Sequence, residues 1–460
     1  MVNNTSESQI IKIWQHQLLD RTRLVTEDGE PIEIIYPGRV NDDQGADFRD
    51  AVIAASKGLM KGDIEVHVKS SGWREHQHHR DVVYNRVIMH VVMWHNSKTA
   101  TYLQNGREVP ILALHKYIKI PISQWPTLLC SPAALNMPCF KIAQRLTTGT
   151  MAGFLDRAGE ERFLVKAAKF QPDLAQMEAS QSLYQGIMGA LGYSKNKLPF
   201  LELAHRLPLQ ILESIAQGEI SDEECLLRQQ ALLLGTAGLL PSQRQDEHQG
   251  KRLDDKWIDK LERLWTSFYH TEAMSHNAWR LFKVRPNNSP ICRLVALSYL
   301  LLRYRETGIL EGLVSLVKKV PLSRGYHSLE KGLVVTTNDY WISHFDFGLS
   351  SGIRSQTLLG RGRAADIAVN VLLPFTFAWS QFTSQPELGR KALDLYRRYP
   401  KLAVNSVERH ITAQLGLSNS LVNSAQRQQG LIHIYNSLCT QGRCDDCLLS
   451  QFKAGNHVQI

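Results

Sequence analysis

No segment of the 460-residue chain approaches the roughly 18 unbroken apolar residues that a membrane helix needs, and the opening Met-Val-Asn-Asn-Thr-Ser-Glu-Ser lacks a basic stretch followed by an apolar one. These absences predict a cytoplasmic protein with no membrane partner. Cysteine is sparse: seven in the whole chain, an odd number, three of them crowded near the end. That usage excludes a secreted disulfide framework and reads as intracellular thiols, some of them candidates for metal ligation. No internal repeat recurs at a fixed period, and no low-complexity tract interrupts the chain. A dinucleotide loop is missing too, because Gly186, Gly189 and Gly192 fall inside and at the end of a helical pattern instead of between a strand and a helix. They predict close helix packing and a C-cap.

What is present suits two or three domains, each with its own core. Lys and Arg number 53 against 44 Asp and Glu, a net charge of +9 that fits a nucleic-acid or other polyanionic partner without requiring one. To about residue 125 the chain carries short β-type runs at Ile32–Tyr36, Ala51–Ala55, Ile64–Lys69, Val87–Trp94, Thr101–Leu103 and Val109–His115. Asn105-Gly106 between the last two predicts a hairpin, and residues 9–20 have apolar positions at helical spacing. Pro121, Pro126, Pro132 and Pro138 then mark an irregular connection. Beyond it, 3.6-residue periodicity predicts helices over most of the remaining chain, including 273–283, with a mobile polar loop at 242–254. The expected organisation is residues 1–125 as a mixed α/β domain, 126–145 as the connection and 146–460 as a helical domain.

Chemistry concentrates in residues 62–69, Gly-Asp-Ile-Glu-Val-His-Val-Lys. In a strand this alternation puts Asp63, Glu65, His67 and Lys69 on one face and Ile64, Val66 and Val68 on the other. The apolar face must be buried, so the ionisable face is either wet or the floor of a site. His76, His78, His79, Asp81 and Tyr84 follow closely, and Asp47 precedes, which favours a site. Phosphodiester hydrolysis needs carboxylates to hold a divalent cation, a group that orients or deprotonates water, and cationic donors for charge developing on phosphate. Asp47 and Glu65, separated by a β-type run, the glycine turn Lys57-Gly58 and a second β-type run, can be brought together by a hairpin; they would supply carboxylates for Mg or Mn, His67 and Lys69 would orient the attacking water, and His78 with Asp81 would complete the metal pocket. Tyr84 would hydrogen-bond phosphate. The same His67, His76, His78 and Glu65 would equally suit Zn, Mn or Fe in a β-rich hydrolase or cupin-like oxygenase acting on a small molecule. A plain solvated strand face in a non-catalytic nucleic-acid-binding protein is the third reading. His90, in an apolar run, reads as a satisfied core histidine.

An Asp at the start of one strand, followed on the next by Glu-x-Lys, is the pattern of the PD-(D/E)xK nuclease superfamily, which Asp47 and Glu65-Val66-His67 resemble. Alanine precedes Asp47 where that pattern has proline, and His67 stands where lysine is expected. A wider resemblance covers nearly the whole chain. The runs Gly-Asp-Ile-Glu-Val-His-Val-Lys-Ser-Ser-Gly-Trp, His-Gln-His-His-Arg-Asp-Val-Val-Tyr and Arg285-Pro286-Asn287-Asn288-Ser289-Pro290 look like an uncharacterised bacterial family with a domain-of-unknown-function label. The architecture that follows is α+β: an N-terminal mixed α/β domain, restriction-endonuclease-like by the first resemblance, then a large all-α domain.

Two further features sit in the helical half. Cys439, Cys444 and Cys447, with four and two residues between them, can converge on one metal, with Cys130, Cys139 or His433 as a fourth ligand to a 4Fe-4S cluster or Zn. This is similar to nucleases of the same superfamily in which three C-terminal cysteines and one distant cysteine hold a 4Fe-4S cluster. Cys225 and Cys292 lie in apolar helical patterns and read as core. Gly360-Arg361-Gly362-Arg363 places two arginines at a helix start, and Arg285, Arg293 and Arg354 add to a candidate phosphate-binding surface.

Overall fold

The computed structural model describes residues 5–118, 125, 138–244, 256–268, 272–281, 284, 288–350, 357–447 and 449–450. Cys130, Arg285, Arg354 and most of the loop expected at 242–254 lie outside the described residues, as does most of the proline-rich connection. The chain divides into two units, one made of Met1–Glu161 with Val404–Ile460 and the other of Arg162–Ala403. The first unit thus runs past the expected bound at residue 125, taking in a further stretch of helix and the C-terminal segment.

The first unit is built on a seven-stranded sheet of β1 (Leu24–Val25), β2 (Pro31–Tyr36), β3 (Arg39–Val40), β4 (Phe48–Ala55), β5 (Gly58–Lys69), β6 (Val87–Trp94) and β9 (Ile111–Ala113). Their order is β1-β2-β4-β5-β6-β9, with β3 beside β4. β4 and β5 form the expected hairpin, antiparallel with Ala55 opposite Gly58, whereas β6 runs parallel to β5 and β9 parallel to β6. A small hairpin, β7 (Thr101–Tyr102) with β8 (Glu108–Val109), surrounds Asn105-Gly106, and Gly106 takes the left-handed conformation at φ +82° that the turn demands. The run expected at 109–115 is broken by Pro110, which has no N–H to give a ladder, and ends in a 3-10 turn at Leu114–Lys116.

The helix expected from 9–20 runs Glu7–His16 (α1), opened by a capping box between Ser6 and Gln9. Its apolar stripe of Ile10, Ile13 and Trp14 covers one face of the sheet, against Ile34, Ile53, Ile64, Val66, Met89 and Val91. Trp14 also donates its indole N–H to the carbonyl of Pro37 at 2.9 Å. On the opposite face, the helices Thr148–Ala168, Ser406–Leu415 and Ala425–Ser437 supply Leu155, Ile411, Leu431 and Ile434 to a second core around Tyr36 and Val52. Both faces are covered, so β5 and β6 are buried through their central residues and the strand alternation does not sort into wet and dry sides.

The second unit is mainly helical, with two small two-stranded sheets, Val335–Thr336 with Thr357–Leu359 and His344–Asp346 with Leu349–Ser350. Gly186 packs as expected: a Cβ there would meet Val371 Cγ1 at 2.8 Å. At Gly192, the C-cap, it would meet the carbonyl oxygen of Asn196 at 2.4 Å. The helix expected at 273–283 does not form among its described residues. A single 3-10 turn, His276–Ala278, is followed by Trp279, whose ring packs edge-on to Phe200 and whose N–H donates to Ala237, so anchoring to neighbouring elements overrides the helical periodicity. No helix among the described residues is long and apolar enough to cross a membrane. Because Trp14 fills the centre of the α1 contact, Trp14→Ala should cost roughly 3–5 kcal/mol by denaturant titration; a loss below about 1 kcal/mol would show that α1 adds little to the sheet.

Candidate metal centre on the sheet

Asp47 and Glu65 come together because β4 starts late. Phe48 pairs with Ile64, so the next outward N–H of β5, that of Val66, has no strand partner; Asp47 Oδ2 accepts it at 2.9 Å. In return the Asp47 N–H donates to Glu65 Oε2 at 3.2 Å. Each carboxylate is thus fixed by a backbone N–H of the other's segment, as their placement on adjoining strands predicts. The turn before Asp47 is locked by Asn41, whose side-chain amide donates to the carbonyl of Ala46 at 2.9 Å and whose N–H donates to that of Asp47 at 2.7 Å.

The ionisable face of β5 is covered: Asp63 is 4%, Glu65 6% and His67 1% exposed. The cover comes from residues 72–84, a one-turn helix α2 (Gly72–Glu75) followed by two 3-10 turns, His78–Arg80 and Val82–Tyr84. Gly72 lies directly over His67, where an added Cβ would approach Cδ2 at 2.7 Å, so only glycine permits this contact. Trp73 packs beside His78 and His90, and the Tyr84 ring lies on His78 with centroids 3.9 Å apart.

Imidazoles line the pocket. His67 Nδ1 is 2.9 Å from His90 Nε2, which in turn is linked through its Nδ1 to Thr101 Oγ1 at 3.2 Å. His67 Nε2 is 3.1 Å from His76 Nδ1 and 3.8 Å from Glu65 Oε1. His78 Nε2 approaches Glu65 Oε1 to 3.0 Å as an ion-pair contact, yet without hydrogen-bond alignment, and it makes no hydrogen bond. A buried imidazole nitrogen left in that condition beside a carboxylate is the arrangement a cation would satisfy. One ring nitrogen each from His67, His76 and His78 lies within 4.8 Å of the others, the group of three or more such ligands found among the described residues.

Electrostatics fit the same conclusion. Burial first, then the Glu65 charge, pushes the Asp47 carboxyl from 3.8 up to about 7. Burial raises Glu65 from 4.5 to about 8, with the charge of Glu7 in the first turn of α1 adding to the shift. Burial, helped by His78 and His76, lowers His67 from 6.5 to about 3, so the ring is neutral and able to ligate or accept a proton. Burial raises Tyr84 and lowers His78 and His90.

The remaining expected residues fall elsewhere. Asp63 binds the N–H of Asp50 at 3.1 Å and pairs with Arg86 at 3.5 Å. Asp81 is exposed and caps the second 3-10 turn through the Val83 N–H at 2.9 Å, acting on His78 and Tyr84 by its charge alone. Lys69 is exposed at the last residue of β5, opposite Trp94. In the second unit, Arg361 pairs with Glu330 at 3.1 Å, while Arg363 lies over the Tyr193 ring at 3.0 Å and pairs with Asp366 at 3.4 Å. Arg293 is buried and donates to the carbonyl of Leu358 at 2.8 Å. These guanidiniums are engaged inside that unit, with the phosphate surface expected of Arg363 and Arg293 replaced by internal stacking and ion pairing.

His90, the expected core histidine, is buried and hydrogen-bonded, but it also extends the imidazole chain. Sequence reading missed Glu7, Trp73 and Thr101. A parallel β5–β6 register, which sets Glu65 opposite His90, would have tied His90 to the site, but it is fixed only by the fold. Of the cysteines, Cys139, Cys439, Cys444 and Cys447 line one cavity of the first unit, and His433 instead stands 3.4 Å from Glu161.

A mixed sheet with a buried carboxylate–imidazole pocket, joined in sequence to a helical unit, defines the class. The chain belongs to the family described as Protein of unknown function (DUF2851), which it matches over residues 7–403, a span that ends before the last three cysteines. No curated protein and no solved structure matches it.

The carboxylates predict a pH signature in metal-free protein. Raised folded-state values mean Asp47 and Glu65 keep protons that the unfolded chain has lost, so their stability contribution is full below about pH 4 and drains as pH climbs through about 8. Depressed His67 has the opposite sign, its contribution being lost as pH falls below 6.5. Above that pH only the carboxylate effect remains, on the order of 1 kcal/mol per group per pH unit. In chelator, Tm should fall from pH 6.5 to 8, the fall should be smaller in Glu65→Gln, and Mn²⁺ should raise Tm more at pH 8; a flat wild-type profile would contradict the shared carboxylate site.

Proposed function

We propose that the first unit is a divalent-metal-dependent phosphodiesterase acting on nucleic acid. The observation that carries this reading is the pair Asp47 and Glu65, drawn together from adjoining strands beside the unsatisfied Nε2 of His78. Asp47, Glu65 and His78 would hold Mg or Mn. The bound cation would polarise a phosphoryl oxygen and acidify water. His67, neutral and 3.8 Å from Glu65, would orient that water or take its proton, and its link to His90 and Thr101 supports that role by fixing the ring. Raised carboxyl values make the empty pocket prefer protons, so cation binding must displace them and tighten with pH. Lys69, Arg74 and Arg80, all exposed on β5 or the segment covering it, offer phosphate contacts that read no sequence, in keeping with the net charge of +9.

A second reading rests on the His67, His76 and His78 convergence. Three imidazoles suit Zn or Fe better than Mg, and would support a hydrolase or oxygenase acting on a small molecule.

The test is cleavage of supercoiled plasmid, single-stranded DNA and RNA by full-length protein with Mg²⁺, Mn²⁺ or Zn²⁺, alongside a chromogenic phosphodiester and a chromogenic carboxylic ester. Under the proposal, Mg²⁺ or Mn²⁺ supports cleavage and Glu65→Gln or Asp47→Asn loses at least about 100-fold. Equal cleavage by wild type and Glu65→Gln would refute it. Ester hydrolysis with Zn²⁺ alone would favour the second reading, and salt-sensitive DNA binding without turnover under any metal would leave a binding protein.

A further inference from the structure

Four of the seven cysteines, from segments about 300 residues apart in sequence, line one cavity of about 350 Å³ in the first unit. Cys139 lies in the short helix Pro138–Ala143, Cys439 opens a 3-10 turn after the helix Ala425–Ser437, and Cys444 and Cys447 follow on a turn closed by the Cys447 N–H donating to the Cys444 carbonyl at 3.2 Å. We propose that Cys139, Cys439, Cys444 and Cys447 together ligate a metal centre, with Cys139 as the distant fourth ligand. The inference does not depend on the catalytic reading.

Three observations support it. First, the four thiols share one cavity wall, with Cys139, Cys439 and Cys447 half-buried and Cys444 exposed, and cysteine sulfur is the ligand type that soft cations select. Second, the cavity wall supplies complementary groups. Arg21 lines it and is influenced by Cys444, and the Gln414 side-chain amide donates to Cys139 Sγ at 3.4 Å, the kind of hydrogen bond that stabilises a thiolate. Third, the turn carrying three of the cysteines is held in place by the sheet. Gly442 has φ +69°, and a Cβ there would meet Val52 Cγ1 at 2.9 Å; Lys61 Nζ donates to Gln441 Oε1 at 2.9 Å. The thiols are therefore presented on a preformed wall, and binding would release one proton per thiol to solvent as each sulfur bonds metal.

The chemistry shared by the two candidate occupants, a 4Fe-4S cluster and Zn, is four-thiolate ligation; no three of the four sulfurs lie within 4.8 Å of one another, a spread that suits the larger cluster. Full-length protein purified without oxygen should contain either iron with acid-labile sulfide or zinc, and these two results distinguish the occupants while each supports the site. Metal content should fall at least about 10-fold in Cys139→Ser, Cys439→Ser, Cys444→Ser and Cys447→Ser, and stay unchanged in Cys130→Ser. Should those variants fail to fold, alkylation of wild type read by mass spectrometry supplies the answer: these four cysteines should become reactive in the folded protein only after chelation or acid release. Wild type without bound metal even after anaerobic reconstitution, or metal lost with Cys130→Ser and kept with Cys139→Ser, would overturn the proposal.

Discussion

The bond from the Val66 N–H to the Asp47 carboxylate is the constraint from which the site follows. A strand cannot leave a buried backbone donor unsatisfied, and β4 begins one pair too late to supply a carbonyl to this one. An acidic side chain fills the gap, which places it against Glu65, and two carboxylates in one buried pocket then favour protonation or a cation. Imidazoles are the neutral ligands nearest at hand. Backbone satisfaction, charge and ligand geometry are in this sense one problem with one solution.

Much of the sheet was legible in residue order. Strict alternation in 62–69, the Lys57-Gly58 turn and Asn105-Gly106 each carry a local signal that survives in β5, in its hairpin with β4 and in the β7–β8 turn. Approach of Asp47 to Glu65 followed from that hairpin alone. What alternation could not decide was whether the ionisable face is wet, because the cover, residues 72–84, consists of one helical turn and two 3-10 turns too short to show any period. Trp73 and Thr101 reach the site by tertiary packing for the same reason. Helical periodicity misled at the described residues of 273–283, where the anchoring of Trp279 and of the backbone of Met274 to the end of the helix Asp222–Thr236 outweighs propensity.

Net positive charge proved a poor guide to location. Arg293 and Arg363 enter the sum of 53 basic residues, but one is buried and the other stacks on Tyr193, so neither projects its charge as freely as composition implies. The same holds for acids: Asp63 belongs by alternation with Glu65, yet a bulge in β4 after Phe48 turns the Asp50 N–H toward it, and Arg86, just before β6, pairs with both carboxylates, which gives Asp63 a different set of partners.

Tyr435 donates to Asp50 across 385 positions of sequence, and the Ser406–Leu415 and Ala425–Ser437 helices complete the core around Tyr36 and Val52. Seen from the ribosome, the sheet emerges long before the helices that cover its second face. During that interval Val52 and Tyr36 lack part of their cover while the whole of Arg162–Ala403 is being made and can begin to fold by itself. Vectorial synthesis thus leaves that apolar face of the sheet to be covered last, open to chaperone capture in the meantime.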